Sequence, residues 1–223
     1  RSVFGNPSST HAPGRKAKAL VETSRRRIAE LLNVPPRTIC FTSGGTEADN
    51  HAIQAAVGCL GVTRIVTSAA EHSAVIKASD VAGQVDRVEV VHVGHHADGT
   101  VDLDALANVL KASEAKTLVS LMHANNEVGV MVDLARISAL CRVHGAYFHS
   151  DTVQSMGHYP MDLAELDVDF LTCSAHKFHG PKGSGFLYVH PTIRIDGMIV
   201  GGGQERMLRG GTENVAGIVG LTR

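Results

Sequence analysis

The chain has 223 residues, of which 43% are hydrophobic and 19% charged, and its 21 basic and 22 acidic side chains leave a formal net charge of −1. This length predicts one domain with a sizeable core, and the balanced charge argues against nucleic acid or a membrane surface as a partner. No apolar run reaches the roughly 18 residues of a membrane-spanning helix, so we do not expect an integral membrane protein.

Helices and strands alternate in the predicted order of elements. A loop rich in Pro, Ser and Gly over 1–14 precedes a helix over 15–32, where apolar residues recur on one face. Further helices are predicted at 47–58, 72–82, 101–111 and 133–144. The predicted strands are 38–42, 64–67, 87–93, 117–122, 146–149, 169–173 and 185–189. Short, almost continuously apolar strands between amphipathic helices indicate a parallel sheet, in which ligands bind at the carboxyl ends of the strands.

A glycine pair follows the first predicted strand, in the segment Ser43-Gly44-Gly45-Thr46. Backbone N–H groups at the start of the next helix, together with the Thr46 hydroxyl, would form a cradle for an anion. An ordinary helix cap is the alternative interpretation. The segment matches neither a Walker loop nor the G-x-G-x-x-G motif.

Polar residues follow three later strands. Asn125 and Asn126 indicate either a binding site or a turn. Asp151, at the end of an apolar strand, is either a site carboxylate or a helix cap. Lys177, beside His176, is a candidate nucleophilic amine, because a desolvated lysine loses its proton more readily, although most lysines are solvated.

Together these features match what pyridoxal phosphate requires. The cradle suits its phosphate, the carboxylate keeps its ring nitrogen protonated, and the lysine forms a Schiff base with its aldehyde.

Seven segments in one order carry a resemblance to a known family. They are FGNPSSTH (4–11), FTSGGTEADN (41–50), EHSAV (71–75), MHANNEVG (122–129), HSDTVQSMG (149–157), SAHKFHGPKG (174–183) and GGGQERMLRGGTEN (201–214). The chain resembles the class V aminotransferase group of fold-type I pyridoxal phosphate enzymes, and most of all the cysteine desulfurases, which are related to selenocysteine lyases. The resemblance implies an α/β fold, with a mostly parallel central sheet and helices on both faces, for a large domain over 1–223.

The resemblance also implies roles around the cofactor ring. Lys177 carries the cofactor as a Schiff base, Asp151 pairs with the pyridine nitrogen, and Gln154 contacts the phenolic oxygen. His72 stacks on the ring and relays protons, and Asn126 contacts the substrate carboxylate or the ring hydroxyl.

Further implied roles concern the phosphate. It is held by Gly45, Thr46, Ser174 and His176, and Thr212 reaches the phosphate of a neighbouring subunit. That last role implies a homodimer with shared active sites.

Two parts of the family pattern have no counterpart here: an N-terminal segment ending in a D-x-x-A-T-T-like motif, and a smaller C-terminal domain. That domain carries the sulfur-accepting cysteine and a carboxylate-binding arginine. We therefore expect the chain to be the large domain of a longer enzyme, to bind pyridoxal phosphate weakly alone and not to turn over efficiently.

The four cysteines have no C-x-x-C pair, which argues against a disulfide scaffold and is typical of the reducing cytoplasm. We expect all four to be structural: Cys40, Cys59, Cys141 and Cys173. Histidines at 92–96 or 144–149 are weak candidates for a metal site, since no H-E-x-x-H motif is present, and no metal is predicted.

The reaction implied by the resemblance converts L-cysteine to L-alanine and leaves a persulfide on the enzyme. A sulfur-acceptor or scaffold protein then takes the sulfur, for example in iron–sulfur cluster assembly. A selenocysteine lyase or another class V enzyme, such as a transaminase, is one alternative. A non-catalytic module that retains the fold is another, although Lys177, Asp151 and His72 are all present.

Overall fold

A seven-stranded sheet forms the centre of the protein in a computed structural model, which describes residues 3–223. In chain order the strands are β1 (Ile39–Thr42), β2 (Arg64–Ser68), β3 (Glu89–Val93), β4 (Thr117–Ser120), β5 (Tyr147–Asp151), β6 (Phe170–Ser174) and β7 (Gly185–Val189). The α-helices are α1 (Ala12–Leu31), α2 (Gly45–Gly58), α3 (Ser73–Val85), α4 (Leu103–Lys111), α5 (Leu134–Val143) and α6 (Val215–Leu221).

The strand order across the sheet is β1-β7-β6-β5-β4-β2-β3. Strands β2 to β6 pair in parallel, whereas β7 runs antiparallel to both of its neighbours, β1 and β6. The connection from β6 to β7, residues 175–184, contains one 3-10 turn and no α-helix that crosses the sheet, so β7 runs antiparallel to β6. The mostly parallel α/β fold expected from the sequence is confirmed.

Helices cover both faces of the sheet, and alternate strand residues point to opposite sides. One core lies under α2 and α3 and receives the strand residues Ile65, Leu118, Phe170 and Leu187. The other lies under α1, α4, α5 and α6 and receives their neighbours Val66, Val119, Leu171 and Phe186. This alternation follows from the two-residue period of a strand and produces three layers.

Several predicted boundaries differ from the structure. The predicted loop over 1–14 is wrong at its end, because α1 begins at Ala12, where Pro13 suits the first helical turn and the His11 ring accepts from the Gly14 N–H. Residues 1 and 2 of that loop lie outside the described residues. The strand predicted from residue 87 begins at Glu89, since Arg87 has a left-handed backbone with φ of 57°. The short helix α6 is absent from the predicted elements.

None of the helices in residues 3–223 combines the length and the apolar character needed to cross a bilayer.

A buried ion pair ties the glycine-rich segment 201–211 to α1. Both guanidinium Nη atoms of Arg25 donate to Glu205, at 2.7 and 2.8 Å, and Glu205 also accepts from the Phe41 N–H. Arg25 is nearly fully buried and lies 4.7 Å from the centre of the Phe41 ring. Three consecutive non-glycine residues, Glu205–Met207, have positive φ, which costs energy that this anchor must offset.

We expect Glu205→Gln to lower the free energy of unfolding by about 3–5 kcal/mol, because it leaves a buried guanidinium without its charge partner. Denaturant titration followed by circular dichroism measures the change. The matched control is Glu22→Gln, since Glu22 contacts the same Arg25 at 3.3 Å with its side chain 39% exposed. We expect a loss below about 1 kcal/mol for that variant. Equal losses in the two variants would contradict the assignment of Glu205 as the anchor.

Candidate active site

One large pocket, about 610 Å³ in volume, opens at the carboxyl ends of β2, β4, β5 and β6 and at the start of α2. Nine of the ten predicted site residues line it: Gly45, Thr46, His72, Asn126, Asp151, Gln154, Ser174, His176 and Lys177. These residues come from segments far apart in sequence. The sheet therefore brings almost the whole predicted set together.

The anion cradle lies where α2 begins. The first backbone N–H groups of α2 have no partner within the helix, so they are available to an anion. Gly45 is required at this point, because a Cβ there would lie 2.7 Å from Cγ2 of Val153. Beside the glycine pair, the Ser174 hydroxyl and Nδ1 of His176 are hydrogen-bonded at 2.8 Å.

Asp151 occupies the end of β5 and is 4% exposed. Oδ1 of Asp151 accepts a hydrogen bond of 2.8 Å from the Val153 N–H. Burial, together with the nearby carboxyl of Asp49, raises the pKa of Asp151 to about 7. The sequence allowed either a helix cap or a site carboxylate here, and the side chain does line the pocket.

His72 caps α3, and its Nδ1 accepts from the Ala74 N–H at 3.2 Å. In the neutral ring this leaves the proton on Nε2. The preceding residue, Glu71, is 7% exposed and accepts from the Ser68 hydroxyl at 2.7 Å and the Met122 N–H at 2.8 Å. Glu71 thus fastens the segment that carries His72 to the end of β4.

The two adjacent asparagines have different functions in the local structure. Asn125 forms the turn: its Oδ1 accepts from the N–H groups of Glu127 and Val128, and its Nδ2 donates to the Ala70 carbonyl. Asn126 is exposed at the pocket, where its Oδ1 accepts from Nε2 of Gln154 at 2.9 Å. Both interpretations of this pair therefore hold, one for each residue.

Lys177 lies in a one-turn 3-10 helix, Ala175–Phe178, that follows β6 directly. Its carbonyl is fixed by His158, whose Nε2 lies 2.9 Å away. The Lys177 side chain lines the pocket but is exposed to solvent. Of the two interpretations that the sequence left open for this lysine, the structure shows the solvated one, because the 3-10 turn places the side chain at the rim of the pocket.

Thr212 is the predicted site residue that the structure leaves outside the pocket. It is exposed and lines a separate cavity of about 120 Å³ with Ser43 and Arg209.

Two buried acids that line the pocket, Asp49 and Glu71, are missing from the predicted site residues. A signal for Asp49 exists in the sequence. It falls on the same helical face as Ala52, Ile53 and Ala56, where a polar residue in an apolar stripe stands out.

Within residues 3–223, one group of side chains is close enough to hold a metal ion: Asp49, His72 and Asp151. Their possible ligand atoms lie within 4.8 Å of one another. The histidines at 92–96 and 144–149 do not form such a group in that part of the chain.

The four cysteines are free thiols, and none lines the pocket. Burial raises the pKa of Cys141 to about 12 and also raises the pKa values of Cys40 and Cys173. Cys59 is exposed, and its Sγ accepts from the Asp196 N–H at 3.3 Å.

Comparison with known proteins places this site in a family. The sequence model of the aminotransferase class-V family matches residues 1–223. The cysteine desulfurase IscS of Dictyoglomus turgidum is 41% identical over 223 residues, which cover 99% of this chain and 56% of that protein.

Two solved structures are also similar. A NifS-like protein has a TM-score of 0.95 and 37% identity and covers 100% of this chain, while 61% of its own length is matched. The structure of SspA in complex with cysteine has a TM-score of 0.90 and 32% identity, with 99% of this chain and 64% of that chain matched. The chain spans about half the length of the curated relative it matches.

Burial raises the pKa of Glu71 to about 8, so the folded protein keeps this proton over a range where the unfolded chain loses it. Stability should therefore fall as the pH rises from about 5 to about 8. We expect Glu71→Gln to lack this loss, a difference on the order of 1.4 kcal/mol per pH unit at most.

Urea denaturation of the cofactor-free protein across this pH range measures the difference. Glu127→Gln is the matched control, because Glu127 is an exposed acid on the same pocket. A pH slope that is the same in wild type and Glu71→Gln would show that Glu71 is ionised in the folded protein.

Proposed function

Because the chain belongs to the class-V aminotransferase family, we propose that it is the pyridoxal-phosphate-binding large domain, over residues 1–223, of a cysteine desulfurase. The complete enzyme converts L-cysteine to L-alanine and passes the sulfur to an acceptor protein, as in iron–sulfur cluster assembly. The observation that carries this proposal is the gathering of Lys177, Asp151, His72 and the anion cradle around one pocket.

The residues present fit the cofactor. A phosphate needs several N–H and O–H donors, and the start of α2, Thr46, Ser174 and His176 provide them on one side of the pocket. A ring nitrogen that is to stay protonated needs a buried carboxylate, and Asp151 supplies one. When bound, pyridoxal phosphate supplies an electron sink for the bonds at the substrate's Cα.

The chain's own groups handle the proton of the substrate. Lys177 Nζ would hold the cofactor and would accept the Cα proton of the substrate. His72 would hold the face of the cofactor ring, and because its Nδ1 is occupied by the Ala74 N–H, Nε2 would be the atom that holds or relays a proton. Gln154 and Asn126, already hydrogen-bonded to each other, orient the ring oxygen and the substrate carboxylate.

We propose that none of the four cysteines accepts the sulfur. Three of them are buried with raised pKa values, and a thiol, unlike a thiolate, is a poor nucleophile. The fourth, Cys59, is exposed but does not line the pocket. We also propose a cytoplasmic location, supported by four unpaired thiols.

We also propose a homodimer with shared sites. Thr212 is exposed and lines a cavity separate from the pocket of its own chain, which supports a role at the phosphate of a neighbouring subunit.

We expect the whole gene product to be yellow with bound pyridoxal phosphate and to form alanine from L-cysteine without any keto acid, with sulfide released from the enzyme persulfide when a thiol reductant is present. Lys177→Ala should lose both the visible absorption band and at least about 100-fold of the activity, because the amine acts as ligand and base. Absorption spectroscopy and an alanine assay measure the two effects.

The matched control is Lys182→Ala, since Lys182 is an exposed lysine five positions along the chain and outside the pocket. It should keep both colour and turnover. A dependence on keto acid would favour a transaminase, and turnover restricted to selenocysteine would favour a lyase. A colourless wild-type protein would refute the proposal.

Mixed dimers test the shared site. We expect Lys177→Ala subunits to be inactive and Thr212→Ala subunits to be impaired in holding the cofactor. Mixed dimers of the two variants should regain activity, because one of their two sites then contains both native residues. Activity of differently tagged, co-purified dimers measures this rescue, and its absence would place Thr212 outside the neighbour's site.

A further inference from the structure

Asp49 is the buried acid of the pocket for which the proposed reaction gives no role. It lies in the first turns of α2, is 1% exposed and lines the pocket. Neither of its carboxylate oxygens has a hydrogen-bond partner. A charged carboxylate in such surroundings is very unfavourable, so the group must either bind a proton or gain a cation.

The nearest basic side chain supplies no positive charge. Oδ1 of Asp49 lies 3.5 Å from Nε2 of His149, but burial lowers the pKa of His149 to about 4. The His149 ring is instead held between the hydroxyls of Ser120, at 2.8 Å from Nδ1, and Thr172, at 3.1 Å from Nε2. Near neutral pH His149 is therefore a neutral neighbour.

The neighbouring carboxyl of Asp151 determines which of the two acids, Asp49 or Asp151, keeps a proton. Atoms of Asp49 and Asp151 lie within 4.8 Å of each other, and two buried carboxyls so close do not both ionise readily. Asp151 accepts a hydrogen bond of 2.8 Å from the Val153 N–H, which stabilises its charge, whereas Asp49 has no backbone donor and only the nearby Thr172 hydroxyl to lower its pKa. Burial raises the pKa of both carboxyls to about 7, so the backbone donor decides between them: the charge resides on Asp151 and the proton on Asp49.

The other titratable groups around Asp49 come from three parts of the fold: the segment before α3, strand β5 and the turn after β6. They are Glu71, His72, His149, Asp151, His176 and Lys177.

We propose that Asp49 holds a proton in the cofactor-free pocket and releases it to solvent when a cationic ring nitrogen binds beside Asp151. A positive charge at that place stabilises both carboxylates, so the pair no longer needs the proton. Asp49 is then a positioning residue that makes cofactor binding depend on pH. This inference rests on the proposed function, because it takes the ring nitrogen to lie at Asp151.

The sign of the coupling follows from linkage. The pKa of Asp49 is about 7 in the free protein and lower in the complex, and at pH values between the two, binding releases a proton. The affinity therefore rises with pH in this range and levels off above about pH 8. In this interval the wild type should gain up to about tenfold more affinity per pH unit than Asp49→Asn. Asparagine keeps the shape of the side chain and, like the protonated acid, is uncharged. The variant should therefore bind as tightly as wild type at acidic pH and more weakly than wild type as the pH rises.

The experiment uses the whole gene product and deoxypyridoxine phosphate, which carries the ring nitrogen and the phosphate but lacks the aldehyde, so Lys177 chemistry does not contribute. Titration calorimetry in buffers of different ionisation enthalpy counts the protons released. Ionisation of the ligand is common to all variants and cancels in the comparison. Glu71→Gln is the matched variant, because it removes the other buried acid of the pocket and should still release the Asp49 proton.

A second measurement on wild type alone covers the case in which Asp49→Asn does not fold. Near pH 6 the infrared absorption of protonated carboxyls should include both Asp49 and Glu71 without ligand, and binding should remove the Asp49 contribution while that of Glu71 remains.

Equal proton release and equal pH slopes in wild type and Asp49→Asn would overturn the inference. So would loss of the release in Glu71→Gln alone, or an infrared band that does not change on binding. Each of these results leaves the proposed function intact as long as the wild type turns yellow with pyridoxal phosphate. A wild type that binds neither compound would refute the proposed function and the inference together.

Discussion

The parallel strands β2, β4, β5 and β6 all end at the same edge of the sheet, and the candidate site depends on this constraint. Each parallel neighbour requires the chain to return across a face of the sheet, so every carboxyl end, with its following loop, meets the others at one edge. His72, Asn126, Asp151 and Lys177 follow four different strands and nevertheless line one pocket. The same constraint places buried acids at this edge, because the carboxyl end of each strand lies between the core and the pocket.

Much of the fold could be predicted because it depends on local pattern. Strand β7 coincides with the apolar run 185–189, and Asp102 and Asp133 cap α4 and α5 where the helical patterns begin. The segment 201–214 resisted such prediction. Its shape depends on left-handed residues and on a distant arginine rather than on any periodicity.

Nine of the ten predicted site residues line the pocket. In a parallel sheet the carboxyl ends of the strands share one edge, so a motif at a strand end is placed at that edge by its position in the sequence. What the motifs did not specify is the surroundings of each side chain. The solvent exposure of Lys177 depends on the 3-10 turn after β6, and the burial of Asp49 depends on how α2 packs. Both are properties of tertiary packing, which no single segment contains.

The pair between Arg25 and Glu205 joins residues 180 positions apart in sequence. During synthesis α1 emerges long before its acidic partner, so its guanidinium cannot be buried with its charge satisfied until the segment 201–211 has been made. The N-terminal helix therefore completes its packing late. The segment 201–211 leads directly to Thr212, the residue proposed to contact a neighbouring subunit. The surface around Thr212 is therefore complete only when α1 has packed against that segment. The ion pair thus couples the packing of α1 to the segment that leads to Thr212, so chains that stop short of residue 205 lack the charge partner of the buried Arg25.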